Sequence, residues 1–217
     1  MSRLVVSFKG IFRRILVSKH PPDEFVGYEK LLAFIKGRRL LALEGDIIEI
    51  GAFMGGGTVK LAKLVKKYGK KVYVIDIFEP SLDQTVSKSG VTACDVYLAF
   101  LGNRSMFEVY QEATRNFDNI ITIKEDSMKV RFPEEQRFVF GFVDGCHQRA
   151  YVENDFSIIW PNLVSGGVLG IHDYRYDDWP EVTQAVDGLL GEHKNEISEV
   201  HEIEGSYGIS SVLLIKK

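Results

Sequence analysis

The sequence contains few of the features that mark specialised classes of protein. Its 217 residues include two cysteines, Cys94 and Cys146, too few for a disulfide framework, and this usage favours a reducing cytoplasm. No apolar run approaches the roughly 20 residues that a membrane-spanning helix needs. There is no excess of basic residues either: 27 Lys and Arg against 30 Asp and Glu give a net charge of −3, which argues against a dedicated nucleic-acid binder. What remains is an ordinary globular composition at a length that suits one domain.

The most informative stretch runs from Asp46 to Thr58, with the sequence DIIEIGAFMGGGT. A short β-branched run predicts a buried strand, and the glycine-rich segment after it predicts a tight turn with room for a ligand. Thr58 is placed to cap a following helix, and Gly69 to terminate it. A strand–turn–helix of this kind presents free backbone N–H groups and the positive end of a helix dipole to its ligand.

Three nucleotide ligands are candidates for this turn. The P-loop of ATP- and GTP-binding proteins has a lysine before its Ser/Thr, where this sequence has Gly57. The dinucleotide-binding pattern has glycine at its third position, which Phe53 occupies here. The carboxylate of Glu49, at the mouth of the turn, would repel a pyrophosphate but attract an ammonium group. These residues favour S-adenosylmethionine, which carries an ammonium group, a carboxylate and a ribose.

A second acidic residue has the position expected of a ribose ligand. Residues 71–76 read as a strand that ends in Asp76, one strand–helix unit after Gly51. With these two motifs, residues 49–58 and 74–76, the chain resembles class I S-adenosylmethionine-dependent methyltransferases. The resemblance, which covers about residues 28–217, implies that the cofactor is bound by residues at successive strand ends: Glu49, Gly51, Phe53, Gly55, Gly57, Thr58, Asp76, Ile77, Asp126, Ser127 and Asp144.

Strands and helices alternate along the rest of the chain. Further strands are predicted at residues 119–124, 137–143, 164–171, 197–203 and 210–216, and helices at 24–43, 95–117, 151–160 and 181–190. The last two strands are joined by a loop too short for anything but antiparallel neighbours. Together with the resemblance, this predicts an α/β fold: a Rossmann-like, doubly wound sheet of about seven strands with an antiparallel last strand and helices on both faces.

Two segments flank or interrupt this pattern. Residues 1–27 are predicted to form a basic amphipathic arm before a methyltransferase domain at residues 28–217. Such an arm suits an anionic membrane surface, a partner subunit in a homo-oligomer, or the surface of its own domain. The region after Asp76 is insertion-like and follows the carboxyl end of a strand. We expect it to help form a lid over the substrate.

The loop after the third strand carries Asp126 and Ser127. In the resembling family, a polar residue in this loop contacts the edge of the adenine, and these two residues match it in position. An exposed turn after a strand would have the same sequence character, so the adenine contact is an expectation from the resemblance.

Four polar residues follow the ends of the two later buried strands: Asp144, His147, His172 and Asp173. Because parallel strands end at the same edge of a sheet, we expect these side chains to converge on the cofactor crevice. This part of the chain resembles macrocin-type sugar O-methyltransferases, in which acids at these positions hold magnesium that binds neighbouring substrate oxygens. The resemblance implies a metal site at Asp144, Asp173 and His172.

Two residues depart from the macrocin-type pattern. His172 stands where those enzymes carry a second aspartate, and imidazole suits transition metals better than magnesium. Cys146 stands where they often carry an acid thought to act as base. The catalytic candidates are therefore His147 or His172 as the base, together with Asp144. Magnesium, another divalent metal and no metal at all remain open alternatives.

The predicted function is S-adenosylmethionine-dependent O-methylation of a small-molecule hydroxyl, on a sugar-like or natural-product acceptor. Two other classes stay open on the residues alone. One is a regulator or scaffold that binds S-adenosylmethionine without transferring its methyl group, and the other is an NAD-dependent oxidoreductase. We expect a cytoplasmic protein with no nucleic-acid partner and no transmembrane segment.

Overall fold

The computed structural model of the chain describes residues 26–205 and 208–217, so the predicted arm lies outside the described residues except for its last two. The strands are β1 (Asp46–Ile50), β2 (Val72–Asp76), β3 (Ile120–Lys124), β4 (Phe138–Val143), β5 (Leu163–Tyr174), β6 (Ile197–Glu204) and β7 (Ser210–Lys216). The helices are α1 (Tyr28–Gly37), α2 (Gly56–Lys66), α3 (Ala93–Leu101), α4 (Met106–Thr114), α5 (Arg149–Ile159) and α6 (Pro180–Glu192). No helix within these ranges is long and apolar enough to cross a membrane.

The strands form one sheet in the order β3-β2-β1-β4-β5-β7-β6. The first five in chain order pair in parallel, and β7 is antiparallel to both of its neighbours. This confirms the predicted seven-stranded sheet with an antiparallel last strand. The strand order reverses between β1 and β4, and ligands bind open α/β sheets outside the carboxyl ends of the strands at such a point.

Both faces of the sheet are covered by helices, as predicted. On one face, α1 and α2 bury Ile35 and Leu61 against Ile47 of β1. On the other face, α5 buries Ile159 in the same cluster as Ile48, the next residue of β1. Successive strand residues point to opposite faces, so a strand covered on both sides is mostly apolar. β4 is apolar throughout, and β1 buries three isoleucines together with one acid, Glu49.

The region after β2 differs from its prediction. Residues 95–117 were expected to form one helix, but the structure has two, α3 and α4, and the single-helix prediction is wrong. The break falls at Gly102, whose φ of +59° lies in the left-handed region that ends helices. Ser105 then starts α4 as its N-cap by accepting a hydrogen bond from the backbone N–H of Glu108.

Candidate active site

The turn after β1 is built from close backbone contacts that only glycine permits. Gly51 has a φ of +86°, and a Cβ there would lie 2.0 Å from the backbone oxygen of Asp144 at the end of β4. A Cβ at Gly57 would lie 2.0 Å from the hydroxyl of Tyr28. The glycines predicted to make room for a ligand are therefore also required by packing within the protein.

Glu49 lies beneath this turn and is fully buried. The Tyr28 hydroxyl donates a 2.8 Å hydrogen bond to Oε1, and the Thr58 hydroxyl donates to Oε2. Burial raises the pKa of Glu49 to about 7, although these two hydrogen bonds oppose the shift. Both carboxylate oxygens are thus satisfied within the protein, and Glu49 does not line the cavity described below. Its contact with the cofactor ammonium group stays a prediction.

Thr58 does not cap α2, and that prediction is wrong. The helix begins at Gly56, and Gly55 precedes it in the left-handed conformation without a side-chain cap. Thr58 lies within the first turn, where its hydroxyl serves Glu49 instead. The N-terminal N–H groups of α2 are therefore not satisfied by a capping side chain.

Asp76 organises the same turn from the end of β2. The backbone N–H groups of Ala52 and Phe53 donate to Oδ2 at 2.7 and 3.0 Å, and that of Phe78 donates to Oδ1 at 2.6 Å. Burial raises the pKa of Asp76 even though three N–H donors favour its charged form. The carboxylate also lines the cavity. Its contact with the ribose hydroxyls stays a prediction.

A cavity of about 520 Å³ opens at the carboxyl ends of β1, β2, β4 and β5. Its volume lies in the range of small-molecule sites. The predicted site residues that line it are Gly51, Phe53, Gly57, Asp76, Ile77, Asp126, Ser127, Asp144, His147, His172 and Asp173. Glu49, Gly55 and Thr58 lie outside its lining. The structure thus places the two predicted motif groups around one space.

Asp126 and Ser127 occupy the wall of this cavity next to α5. Asp126 Oδ1 accepts a hydrogen bond from the backbone N–H of Met128, and the Tyr151 hydroxyl donates to Oδ2 at 3.4 Å. Residues Ser127–Lys129 form a short 3-10 turn that contacts α5. The predicted contact of these residues with adenine stays a prediction.

The two histidines and two aspartates meet on the opposite wall. Asp173 Oδ2 lies 2.9 Å from His147 Nε2 and 3.2 Å from His172 Nδ1. His172 Nδ1 also lies 3.1 Å from Asp144 Oδ1. The convergence expected from the strand ends therefore occurs, although β5 extends through Tyr174 and the 172–173 pair belongs to the strand itself.

Burial and charge oppose each other in this cluster. Burial lowers the pKa of His172, but the carboxylates of Asp173 and Asp144 more than reverse this and raise it well above its usual value. The same balance raises the pKa of His147 to a smaller extent, mainly through Asp173. Burial alone would raise the pKa of Asp173, yet the two histidines hold it well below its usual value. The cluster therefore pairs an Asp173 side chain whose charged form is favoured with a His172 side chain whose protonated form is favoured.

Two nitrogens of the cluster have no hydrogen-bond partner within residues 26–205 and 208–217: His147 Nδ1 and His172 Nε2. Both are buried, and the His147 ring stacks on Trp179 with centroids 4.1 Å apart. An unpartnered buried nitrogen is costly unless a ligand, a proton or an ion satisfies it. The cluster is therefore arranged to receive a group that the protein does not itself supply.

The donor set also fits a divalent cation. Asp144, His147 and Asp173 each present a ligand atom, and these three atoms lie within 4.8 Å of one another. Two carboxylates and an imidazole suit a transition-metal ion better than magnesium. His172, predicted as a ligand, hydrogen-bonds both carboxylates through Nδ1, and His147 completes the group of three instead.

Several cavity residues were missed in the sequence. Tyr97 and Phe100 of α3 lie against Phe53, with ring centroids 5.4 and 6.1 Å from it. The Tyr97 hydroxyl donates to Asp83 at 3.4 Å in the segment expected to act as a lid. No spacing pattern marks Asp83, because it lies in an irregular segment. The apolar character of α3 was visible, but core packing explained it equally well.

Comparisons with known proteins agree with this geometry. Residues 48–174 match Methyltransf_24, a family described as a methyltransferase domain. No curated protein shows significant sequence similarity to the chain. The fold is similar to that of several solved methyltransferase structures.

The O-methyltransferase NovP is 16% identical, with 88% of this chain and 78% of that chain covered and a TM-score of 0.59. CalS11, described as a calicheamicin methyltransferase, is 14% identical, with 96% and 93% covered and a TM-score of 0.60. A putative methyltransferase from Streptococcus mutans, solved with S-adenosylhomocysteine, is 18% identical, with 85% and 97% covered and a TM-score of 0.54. At these identities the likeness shows the fold.

Proposed function

We propose, since this chain belongs to the Methyltransf_24 family of methyltransferases, that it transfers the methyl group of S-adenosylmethionine to a hydroxyl group of a small acceptor. The observation that carries this proposal is the single cavity that joins the turn after β1 and Asp76 to the cluster around His147. One wall suits the cofactor and the other suits a proton acceptor. Membership in this family sets aside the oxidoreductase and the non-catalytic alternatives.

Methyl transfer is an in-line displacement at an already activated sulfonium centre, so the protein mainly aligns the reactants and excludes water. Asp76 serves the first task because its carboxylate fixes the backbone of Ala52 and Phe53 while facing the cavity. Tyr97 and Phe100 serve the second, since they cover the cavity on the side of the irregular segment after β2.

His147 is our candidate for the base. Asp173 accepts the Nε2 proton, which fixes the tautomer and leaves Nδ1 to take a proton from the acceptor hydroxyl. The stack on Trp179 holds the ring plane. His172 is less suited to this role, because Asp173 and Asp144 raise its pKa more than that of His147 and so favour its protonated form. Asp144 supports His172 and faces the cavity.

A divalent cation is the alternative way to activate the hydroxyl. Asp144, His147 and Asp173 would hold it, and its chemistry would be to favour the alkoxide form of the acceptor. A His147 that binds the cation has no lone pair left for a proton. Metal dependence and a base role for His147 are therefore mutually exclusive at this site, and experiment can separate them.

We propose a sugar-like or natural-product acceptor in the cytoplasm, rather than a nucleic acid. The net charge of −3 disfavours a polyanionic partner. CalS11 is described as a TDP-rhamnose 3′-O-methyltransferase, which supports a sugar hydroxyl for a chain of this fold. The two cysteines are free, as expected in a reducing compartment.

The direct test is methyl transfer itself. Purified protein is incubated with S-adenosylmethionine and a panel of nucleotide sugars, glycosylated natural products and RNA, and S-adenosylhomocysteine and methylated acceptor are measured by mass spectrometry. We expect acceptor-dependent turnover with hydroxylated small molecules that survives EDTA. Turnover that requires added Mn²⁺ or Mg²⁺ would assign the cluster to a metal, and turnover with RNA alone would overturn the acceptor class.

A further inference from the structure

The His147 ring is oriented by two contacts that come from one short segment of the chain. Asp173 Oδ2 lies 2.9 Å from Nε2 at the edge of the ring, and Trp179 stacks on its face at an interplanar angle of 12°. Both residues belong to the segment 173–179, which runs from the end of β5 to the start of α6. The conformation of this segment therefore sets the position of the ring.

The backbone of the segment needs support from its surroundings. Asp173 and Arg175 have φ values of +58° and +59°, in the left-handed region that residues other than glycine occupy rarely. Such conformations persist where neighbouring contacts fix them. The contacts that hold the segment are therefore also the ones that hold His147.

Asp178 supplies such contacts and is 7% exposed. Its Oδ1 accepts a 2.9 Å hydrogen bond from the backbone N–H of Ser89, and its backbone carbonyl accepts one of 3.0 Å from the N–H of Lys88. Its Oδ2 accepts a 3.3 Å hydrogen bond from the Tyr176 hydroxyl within the same segment. Asp178 thus joins the segment that carries Trp179 to a distant part of the chain.

That distant part is the irregular region after β2, which is expected to act as a lid. Around Lys88 and Ser89 it forms a small loop, closed by a 2.8 Å hydrogen bond from the N–H of Ser87 to the carbonyl of Val91. The same region contributes Asp83 to the cavity lining. Asp178 therefore connects the lid side of the cavity to the side that carries His147.

We propose that Asp178 is a positioning residue for methyl transfer. It anchors the segment 173–179 to the lid region, and through Asp173 and Trp179 it holds the His147 ring at the cavity wall. The inference rests on the proposed function for its catalytic consequence, and it holds whether Nδ1 of His147 takes a proton or binds a cation. A displacement of about 1 Å in a reacting group can lower the rate by roughly a hundredfold, so the loss of this anchor should slow the reaction.

The position of the ring can be measured without an acceptor, by NMR of the full chain with its five histidines labelled. Trp179 stacks on His147 with centroids 4.1 Å apart, so its ring current should move the His147 ring protons upfield of their positions in Trp179→Leu. The His147 signals are those missing from His147→Gln. Asp178→Ala should lose most of the upfield shift. Asp178→Asn should keep it, because its amide oxygen still accepts from Ser89, and so should Asp177→Ala, which removes the exposed acid next in the chain.

The catalytic consequence is measured with the acceptor panel of the proposed function. Turnover is expressed per cofactor site, counted by calorimetric titration with S-adenosylhomocysteine. We expect Asp178→Ala to lower kcat about tenfold or more. The dissociation constant of S-adenosylhomocysteine should change by less than about twofold, because Asp76 holds the turn after β1. In a His147→Gln background, the same substitution should lower kcat by less than about twofold, since the ring through which it acts is gone.

Three results would overturn the inference. They are an undiminished upfield shift in Asp178→Ala, a wild-type kcat in that variant, and equal losses of kcat with and without His147, which would indicate a merely structural role. Where the alanine variant does not fold, Asp178→Glu displaces the acceptor oxygen by one methylene group and carries the same expectations. Failure of the wild-type protein to bind S-adenosylhomocysteine, or to methylate any member of the panel, would overturn the proposed function instead. The NMR comparison would still decide whether Asp178 positions the ring.

Discussion

The two sides of the cavity differ in whether the protein itself supplies hydrogen-bond partners for their polar side chains. On the side of the turn after β1, both oxygens of Asp76, which lines the cavity, and both oxygens of Glu49, which lies behind the lining, accept hydrogen bonds from the protein. On the wall formed by β4, β5 and α5, three buried atoms have no partner within the described residues: His147 Nδ1, His172 Nε2 and Asp155 Oδ2. The carboxylates on the first side are satisfied without a ligand, and the polar side chains on the second are not.

This difference predicts which substitutions lower the stability of the protein and which lower its activity. Changes in the first wall break hydrogen bonds and packing that exist in the free protein, so they should lower stability and cofactor affinity together. Changes in the second wall remove atoms whose partners arrive with the ligand, so they should lower activity or selectivity with little loss of stability. Four substitutions test this contrast.

The largest effect is expected at His147. His147→Gln removes the proton acceptor and should lower kcat by about 10²- to 10⁴-fold, the usual contribution of a general base. The affinity for S-adenosylhomocysteine and the melting temperature should stay close to wild type. The matched control is His193→Gln, since His193 pairs with Glu196 and does not line the cavity. A His147→Gln variant with wild-type kcat would remove His147 from the mechanism.

Gly51→Ala should show the opposite pattern to His147→Gln, with its main effect on stability. The added Cβ would lie 2.0 Å from the backbone oxygen of Asp144 at a positive φ, so the turn must move. We expect a loss of roughly 3 kcal/mol or more in the free energy of unfolding, measured by urea denaturation. Gly37→Ala is the control, because nothing lies within 4 Å of a Cβ there. Equal stability of the two variants would show that the turn adapts easily.

The effect of Asp76→Ala should lie between those of His147→Gln and Gly51→Ala, because it lowers both ligand affinity and stability. We expect about a tenfold or greater loss in affinity for S-adenosylhomocysteine, by calorimetry, together with a lower melting temperature. Both follow because the substitution leaves the N–H groups of Ala52, Phe53 and Phe78 without their acceptor. Asp118→Ala, which breaks only an exposed ion pair with Lys66, should change neither quantity appreciably. Unchanged affinity in Asp76→Ala would reject Asp76 as a cofactor ligand.

The smallest effect is a pH dependence of stability from Glu49. Its folded-state pKa of about 7 exceeds the ordinary value of 4.5, so between these pH values the folded protein holds more protons than the unfolded chain. The free energy of unfolding should therefore decrease as pH rises from 4.5 to 7, and less steeply in Glu49→Gln. Urea denaturation across this range measures the slope of the free energy of unfolding against pH in the wild type and in Glu49→Gln. Asp155 of α5, whose pKa burial also raises, contributes equally to both slopes, so their difference reports on Glu49. Parallel curves would mean that Glu49 is ionised throughout.

The fold was largely predictable because strand and helix periods are local properties of the sequence. The buried strands β1 and β4 are rich in apolar residues, and the short loop before β7 dictates its antiparallel pairing. The break between α3 and α4 was missed, although residues 102–105, Gly-Asn-Arg-Ser, contain a glycine that can end a helix and a serine that can cap the next one.

The site was predictable only where residues follow strand ends. Asp144 and His147 follow β4, His172 and Asp173 lie at the carboxyl end of β5, and the structure brings the four together. The burial of Asp155 could not be predicted in this way. A single acid on an amphipathic helix is expected to be exposed, and only the packing against the sheet shows which face is buried. Whether a buried atom has a partner depends on tertiary contacts, and no sequence pattern encodes it.

Calorimetric titration of the purified protein with S-adenosylhomocysteine, in EDTA and again in Mn²⁺, tests the central claim most directly. We predict micromolar binding in both conditions, because the turn after β1 is held by hydrogen bonds within the protein and the three candidate metal ligands lie elsewhere. Absence of binding in both conditions would contradict the account of this cavity as a cofactor site. Binding only in Mn²⁺ would contradict the separation of the two walls.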